Sequence, residues 1–256
     1  MRLVSWNVNG LRACIRKGFV DWAMEARPEL LCLQETRLGD DIPKELAPLE
    51  EHYALHFNHA ERKGYSGVGT FVRRDLGDTT TEAGFGVQAY LDEGRTLVTD
   101  LGPFVVVNGY FPNGGKGPER LQFKLDYYAD LLAWSCRMRG AGKKLIITGD
   151  WNTSHTEIDL ARPKSNHKNS GFMPIERQWL DRFARAGFVD TFRLFNQDGG
   201  HYSWWSNRGG ARQRNVGWRL DYFWVTQDVV PQVQAAAIHP DVLGSDHCPV
   251  SVDLDV

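Results

Sequence analysis

The chain reads as an α/β layered sandwich, with helices outside and sheets inside, on three observations. Short runs rich in β-branched and aromatic residues recur along the 256 residues. The last of them alternates Val250, Val252, Leu254 and Val256 with polar neighbours, the period of a half-buried strand. Amphipathic stretches long enough for helices lie between the runs, a mixture that layers helices over sheets.

In chain order, "LVSW" (3–6), "LLCLQ" (30–34), "GVGTFV" (67–72) and "FVVVNGYF" (104–111) predict strands. Residues 119–138 place Leu121, Leu125, Tyr128 and Leu132 on one helical face. "KLIITGD" (144–150) is the next strand. A second helix over 174–186 opens with Pro174, carries Ile175, Trp179 and Phe183, and stops at Gly187. "LDYFWV" (220–225) and "PVSVDLDV" (249–256) complete the strands. The loops over 112–118 and 206–217 are Gly-rich and basic. Neither a repeat nor a low-complexity linker divides the chain, so one domain over 1–256 is expected. The pattern leaves strand order open.

Lys and Arg total 30 against 32 Asp and Glu, a formal net charge of -2. No overall basic field points to nucleic acid, and a phosphate-rich ligand has to be met by a local patch. The four cysteines, Cys14, Cys32, Cys136 and Cys248, show no C-x-x-C spacing and sit in apolar runs, which predicts buried thiols in a reducing compartment and no structural zinc. The opening residues are strand-like, without the regions of a signal peptide, and no run approaches 18 apolar residues. A cytoplasmic protein is expected.

Polar residues gather where the predicted strands end: Asn7, Glu35, Tyr110 with Asn113, Asp150 with Asn152, and Asp246 with His247. Strand ends converge on one rim of a sheet, where α/β proteins bind ligands. Glu35 is either a turn carboxylate or an oxygen donor for a hard cation, together with Asn7 and a second carboxylate. Asp150 is either a turn aspartate or a base orienting water, with Asn152 on a phosphate oxygen. Asp221 interrupts an apolar strand, and an unpaired buried carboxylate is costly, so it needs a partner. His247 and Arg219 both qualify.

The segment 202–224 interleaves Trp204, Trp205 and Trp218 with Arg208, Arg212, Arg214 and Arg219. Aromatic faces and guanidinium groups stack on bases or sugars and hold phosphates, although core packing also explains tryptophans, Trp224 above all. "GYFPNGGKG" and "GVGTFV" lack the spacings of phosphate-loop and dinucleotide motifs, and "GYSG" lacks that of a nucleophile elbow.

Eight ordered segments, "SWNVNGLR", "LQET", "GYSGVG", "GYFPNG", "TGDWN", "NSGFMPIER", "NVGWRLDYF" and "GSDHCP", together resemble the exonuclease III family of DNA repair nucleases within the endonuclease/exonuclease/phosphatase superfamily. The resemblance implies a DNase I-like four-layer sandwich, two packed mixed β-sheets flanked by helices. It implies Glu35 as the main Mg²⁺ ligand with Asn7 and Asp246 nearby, Mn²⁺ being able to substitute. Asp150 would activate water, Asn152 would bind the scissile phosphate, Tyr110 and Asn113 would complete its pocket, and the His247–Asp221 pair would stabilise the transition state. Trp204, Trp218 and Leu220 would line a deoxyribose pocket. Tyr65, Arg95, Lys116, His167, Asn169, Arg212 and Arg214 would lie along the DNA.

The implied enzyme is a monomeric Mg-dependent phosphodiesterase acting on double-stranded DNA with damaged, nicked or recessed 3′ ends, without a membrane partner, nucleoid-associated when on DNA. Asn9 stands where some relatives carry an aspartate, which weakens the case for a second tightly held metal. A bulky His167 beside the DNA can hinder a flipped-out abasic nucleotide, so 3′-5′ exonuclease and 3′-phosphatase action is expected to outweigh abasic-site incision. The alternatives are a full apurinic/apyrimidinic endonuclease, a lipid or inositol phosphodiesterase of the same superfamily, and a non-catalytic DNA-binding protein.

Overall fold

A computed structural model describes residues 1–256. Its strands are β1 (Arg2–Asn7), β2 (Leu30–Gln34), β3 (Tyr53–Asn58), β4 (Val68–Arg73), β5 (Thr80–Ala83), β6 (Thr96–Asp100), β7 (Val105–Tyr110), β8 (Leu145–Asp150), β9 (Phe188–Asp190), β10 (Trp204–Trp205), β11 (Gly217–Trp218), β12 (Asp221–Thr226), β13 (Val233–Ile238) and β14 (Val250–Leu254). Two six-stranded mixed sheets form, ordered β13-β14-β1-β2-β4-β3 and β5-β6-β7-β8-β12-β9, with a two-stranded β10-β11 ribbon apart from them.

Alternation along the strands builds the four layers. Leu3, Leu30, Cys32 and Val72 of one sheet meet Val106, Ile146, Phe223 and Val225 of the other in the inner core. On the outer face of the first sheet, Val4, Trp6, Leu31 and Phe71 pack against Leu11, Phe19 and Ala23 of the short helices. Behind the second, Val105, Val107 and Ile147 pack against Tyr127, Tyr128 and Leu131 of helix Pro118–Gly140 and Leu180 and Phe183 of helix Pro174–Arg185.

Along the central strands, alternate residues change from apolar to polar toward one end: Leu3, Ser5, Asn7; Leu30, Cys32, Gln34; Val106, Asn108, Tyr110; Ile146, Thr148, Asp150. One rung below that end the sheets are joined by hydrogen bonds instead of methyl groups. Gln34 Nε2 donates to Asn108 Oδ1 at 2.7 Å and to Ser5 Oγ at 2.9 Å, while Asn108 Nδ2 reaches the Gly69 carbonyl at 2.8 Å. A directional network of this kind fixes register where apolar contacts would allow sliding.

Two expectations are corrected. The buried stripe of the long helix is Lys124, Leu125, Tyr127, Tyr128, Leu131 and Ser135, leaving Leu121 and Leu132 half-buried, because the helix packs on helix Pro174–Arg185 as well as on the sheet. Cys136 is exposed in the C-terminal part of that helix, whereas Cys14, Cys32 and Cys248 are buried. No helix is long and apolar enough to cross a membrane.

Candidate active site

The polar end of both sheets opens into a cleft of about 310 Å³ lined by Asn9, Glu35, Arg37, Tyr110, Asn113, Asp150, Asn152, Ser170, Gly171, Trp204, Trp218, Leu220, Asp246 and His247. Strand register explains the convergence. Tyr110, Asp150 and Asp221 occupy one rung of β7, β8 and β12. Asn7 and Gln34 pair at the end of β1 and β2, and Glu35 follows directly.

The β7–β8 approach requires glycine. Gly149 (φ +133) lies opposite Gly109, and a Cβ on Gly149 would stand 1.9 Å from the Gly109 carbonyl oxygen. Asn9, Glu35 and Asn152 adopt positive φ, which places their side chains in the cleft at a conformational cost of about 1–3 kcal/mol each.

Asp150 and Asp221 are directly opposite each other on neighbouring antiparallel strands, an arrangement that is unfavourable when both are charged. His247 resolves it. Its Nδ1 lies 2.8 Å from Asp221 Oδ2, and its Nε2 lies 3.9 Å from Asp150 Oδ2. Burial alone would lower the imidazole pKa, but the Asp221 and Asp150 carboxylates outweigh it and raise it to about 10. Burial pushes Asp150 up to about 7, with Asp221 adding to the rise and His247 opposing it. Of the two partners open to Asp221, His247 is the one present; Arg219 is committed to Asp159 and Asp190 at 2.7 Å each.

The 244–248 segment that presents His247 is pinned to β1. Ser245 Oγ donates to the Asn7 carbonyl at 2.8 Å, and Trp6 Nε1 to the His247 carbonyl at 3.2 Å. Arg212 holds the same segment from outside, donating to the carbonyls of Ser245, Pro240 and Val242.

Oxygen donors for a hard cation lie across the cleft. Glu35 accepts Asn7 Nδ2 at 3.2 Å on one oxygen and Arg37 on the other; Asp246 accepts Asn9 Nδ2 at 2.8 Å and Trp204 Nε1 at 3.1 Å. Arg37 already places positive charge at Glu35, and carboxylate oxygens such as those of Glu35 and Asp246 are the donor type a hard divalent cation takes. Asn7 links Glu35 to Asp150. Its amide nitrogen donates to Asp150 Oδ2 at 2.8 Å as well as to Glu35, and its oxygen accepts the Asn9 amide, so it bridges the two carboxylates as a donor. Asp150, Asp221 and His247 also lie within 4.8 Å of one another, but the protonated imidazole already supplies the cation there.

Elsewhere in the cleft lining, Asn152 Oδ1 accepts Asn113 Nδ2 at 3.1 Å, and Asn152 Nδ2 donates to the Phe111 carbonyl at 2.9 Å. Tyr110 stands beside them; burial, with the Glu35 carboxylate nearby, holds its phenol well above the ordinary value, so it remains a donor. Trp204, Trp218 and Leu220 form an apolar wall, with the two indoles edge to face at 6.4 Å.

Several expected DNA contacts have other duties. Arg95 is 2% exposed at its side chain; it donates to Glu93, the Tyr110 carbonyl and Tyr65 Oη and lies over the Tyr110 ring at 4.7 Å. It positions the two tyrosines. Arg212 is likewise spent on carbonyls and on the Trp205 face. The His167 ring sits 5.4 Å from Phe172, behind the Trp218 wall and outside the cleft lining. Lys116, Asn169 and Arg214 are exposed, and Tyr65 is half-buried at the same side as Arg120. Sequence reasoning misses Arg37, Ser170, Arg120 and Glu93, which no strand-end rule marks; Lys124 and Glu176 are detectable in principle as charged residues on buried helical faces.

Residues 4–247 match the model of the Endonuclease/Exonuclease/phosphatase family. The chain is 42% identical over 258 residues to an exodeoxyribonuclease of Bacillus subtilis, with both chains covered in full. It is 38% identical to a DNA-(apurinic or apyrimidinic site) endonuclease of Dictyostelium discoideum, covering all of this chain and 71% of the relative. Among solved structures, the 3′ phosphatase NExo from Neisseria bound to product DNA hairpin superposes with a TM-score of 0.87 at 25% identity, both chains covered in full.

Proposed function

The chain belongs to the endonuclease/exonuclease/phosphatase family, and from that premise we propose that it is a Mg²⁺-dependent DNA repair phosphodiesterase that works as a monomer on double-stranded DNA at damaged, nicked or recessed 3′ ends. The observation that carries the reading is His247 held between Asp221 and Asp150, facing Glu35 and Asp246 across one cleft.

Asp150 takes the proton of the attacking water, a task suited to a carboxyl raised to about 7. The protonated His247 presents Nε2–H to a non-bridging phosphate oxygen, and Asp221 fixes its tautomer and charge. Asn152, Asn113 and Tyr110 hold the remaining oxygens in line with the water. A divalent metal bound by Glu35 and Asp246 would neutralise charge on the phosphoryl group and leaving oxygen. The Trp204–Trp218–Leu220 wall receives the deoxyribose.

That wall also favours a second reading, abasic-site incision, since it offers room for a sugar without a base. Any hindrance from His167 is then transmitted through Phe172. One panel tests all of this: a nicked 3′-phosphate duplex, a recessed 3′ end and an internal abasic site, each with Mg²⁺. Release at the two 3′ ends exceeding incision is the expected result, and His167→Gly should raise incision. Equal incision by parent and variant removes the role of His167, and no cleavage of any DNA rejects the proposal.

A further inference from the structure

Three loops line the phosphate side of the cleft: 112–115 with Asn113, 150–154 with Asn152, and 169–173 with Ser170 and Gly171. They come from separate parts of the chain, yet their hydrogen bonds meet at one ion pair between the two long helices. Lys124 and Glu176 are both 0% exposed at their side chains. Lys124 Nζ donates to the Asn152 carbonyl at 2.7 Å and to Glu176 Oε1 at 2.8 Å. Glu176 Oε1 also accepts Ser170 Oγ at 2.9 Å, and Ser170 Oγ accepts the Gly114 amide at 3.0 Å. Glu176 Oε2 accepts the amides of Gly171 at 2.7 Å and Met173 at 3.1 Å.

From this geometry we infer that Lys124 and Glu176 are positioning residues, a buried charged hub that sets the spacing of Asn113, Asn152 and the Ser170–Gly171 loop around the scissile phosphate. A buried ion pair is weak as a source of stability, because well-packed apolar residues of similar volume do as well or better. What it supplies is direction. The ammonium fixes the carbonyl of a residue whose φ is +51, and the carboxylate, with both oxygens engaged, admits one arrangement of the 170–173 backbone. Space around the hub is equally defined: a Cβ on Gly114 would lie 2.9 Å from Ser170 Oγ and 3.4 Å from Glu176 Oε1.

The inference rests on reading the cleft as a phosphodiester-cleaving site. Its test is the paired apolar variant Lys124→Met/Glu176→Met, measured with Mg²⁺ on a recessed 3′ end beside Asn152→Ala and the triple variant. The pair should keep its circular dichroism and a cooperative melt, bind DNA within about threefold of the parent, and lose about 100-fold in kcat, as a displaced phosphate ligand does. In the Asn152→Ala background the same pair should cost less than about threefold more, since both changes then remove one function. A folded pair with unchanged kcat overturns the hub, and so do fully multiplicative losses. If the pair does not fold, Ser170→Ala deletes only the Gly114–Ser170–Glu176 link; a loss in kcat that disappears in the Asn152→Ala background supports the hub, and full activity rejects it. A parent inactive on every DNA would instead reject the proposed function.

Discussion

At the scale of single residues, the pairing of Asp221 with His247 is the most exposed to test. Asp221→Asn removes the charge that keeps the imidazole protonated but preserves its shape. We expect kcat to fall by about 100-fold or more while the dissociation constant for DNA changes less than about threefold. A collapse in affinity instead would contradict the pairing. The pH profile follows from the same groups: kcat should rise about tenfold per unit below pH 7, where Asp150 is still protonated, and decline only as His247 loses its proton near pH 10. A rate profile recorded from pH 5 to 10 checks both limbs. Asp159 behaves oppositely. Burial would raise its pKa, but Arg219 and Arg193 hold it far below the ordinary value, so its stabilisation is present above about pH 3.9 and is lost as pH falls. Urea midpoints between pH 3 and 7 should drop at the acid end, and Asp159→Asn should flatten that drop while costing about 3 kcal/mol. The sequence reveals Asp221 because a carboxylate in an apolar strand demands a partner; it does not reveal Asn7 as a donor or Arg95 as a support, since those roles depend on which atom of a side chain faces its neighbour.

At the scale of elements, the long apolar strands of the core are legible in the sequence, while the edge strands, the shortest strands and the interior β6 are not. β2 matches its expected limits, and β1, β4, β7, β8, β12 and β14 shift by one or two residues at their ends. β3, β5, β6, β9, β10, β11 and β13 have no counterpart among the expected runs: "TTEA" and "VQAAAI" carry little apolar alternation because edge strands are exposed on one side or both, β9 to β11 are only two or three residues long, and β6 is an interior strand of five residues. Each of β3, β5, β6 and β13 pairs with a strand next to it in sequence, so weak patterning rather than distance hides them. The β7–β8 contact carries a prediction of its own. Gly149→Ala should separate the strands, lower the thermal midpoint by about 5 °C or more, and reduce kcat further by moving Asp150 from Tyr110. A midpoint within 1 °C of the parent, measured by calorimetry, would be incompatible with that close approach.

At the scale of the whole molecule, the two sheets divide the chemistry. The first contributes Asn7 and Glu35, the second Tyr110, Asp150 and Asp221, and the buried Gln34–Asn108 network holds them in register. The layering follows from composition and periodicity, whereas the strand order that aligns the polar ends was not readable without the tertiary pairing. The fold would not lean on a metal bound at the proposed ligands, since Glu35 is already met by Arg37, and Asp246 by Asn9 and Trp204. Chelation should abolish cleavage yet shift the thermal midpoint by less than about 3 °C, whereas Glu35→Ala should remove calorimetric Mg²⁺ binding. A large loss of stability on chelation would make the metal structural.

The pairing of β14 with β1 also has a temporal meaning. His247 is made 241 residues after Trp6 and Ser245 238 residues after Asn7, yet each is seated by that earlier partner. A growing chain halted at residue 240 would already hold Glu35, Asp150 and Asn152 but lack the imidazole and the strand that places it. The cleft is therefore complete only after residues 244–254 have joined β1, later in chain order than every other residue that lines it.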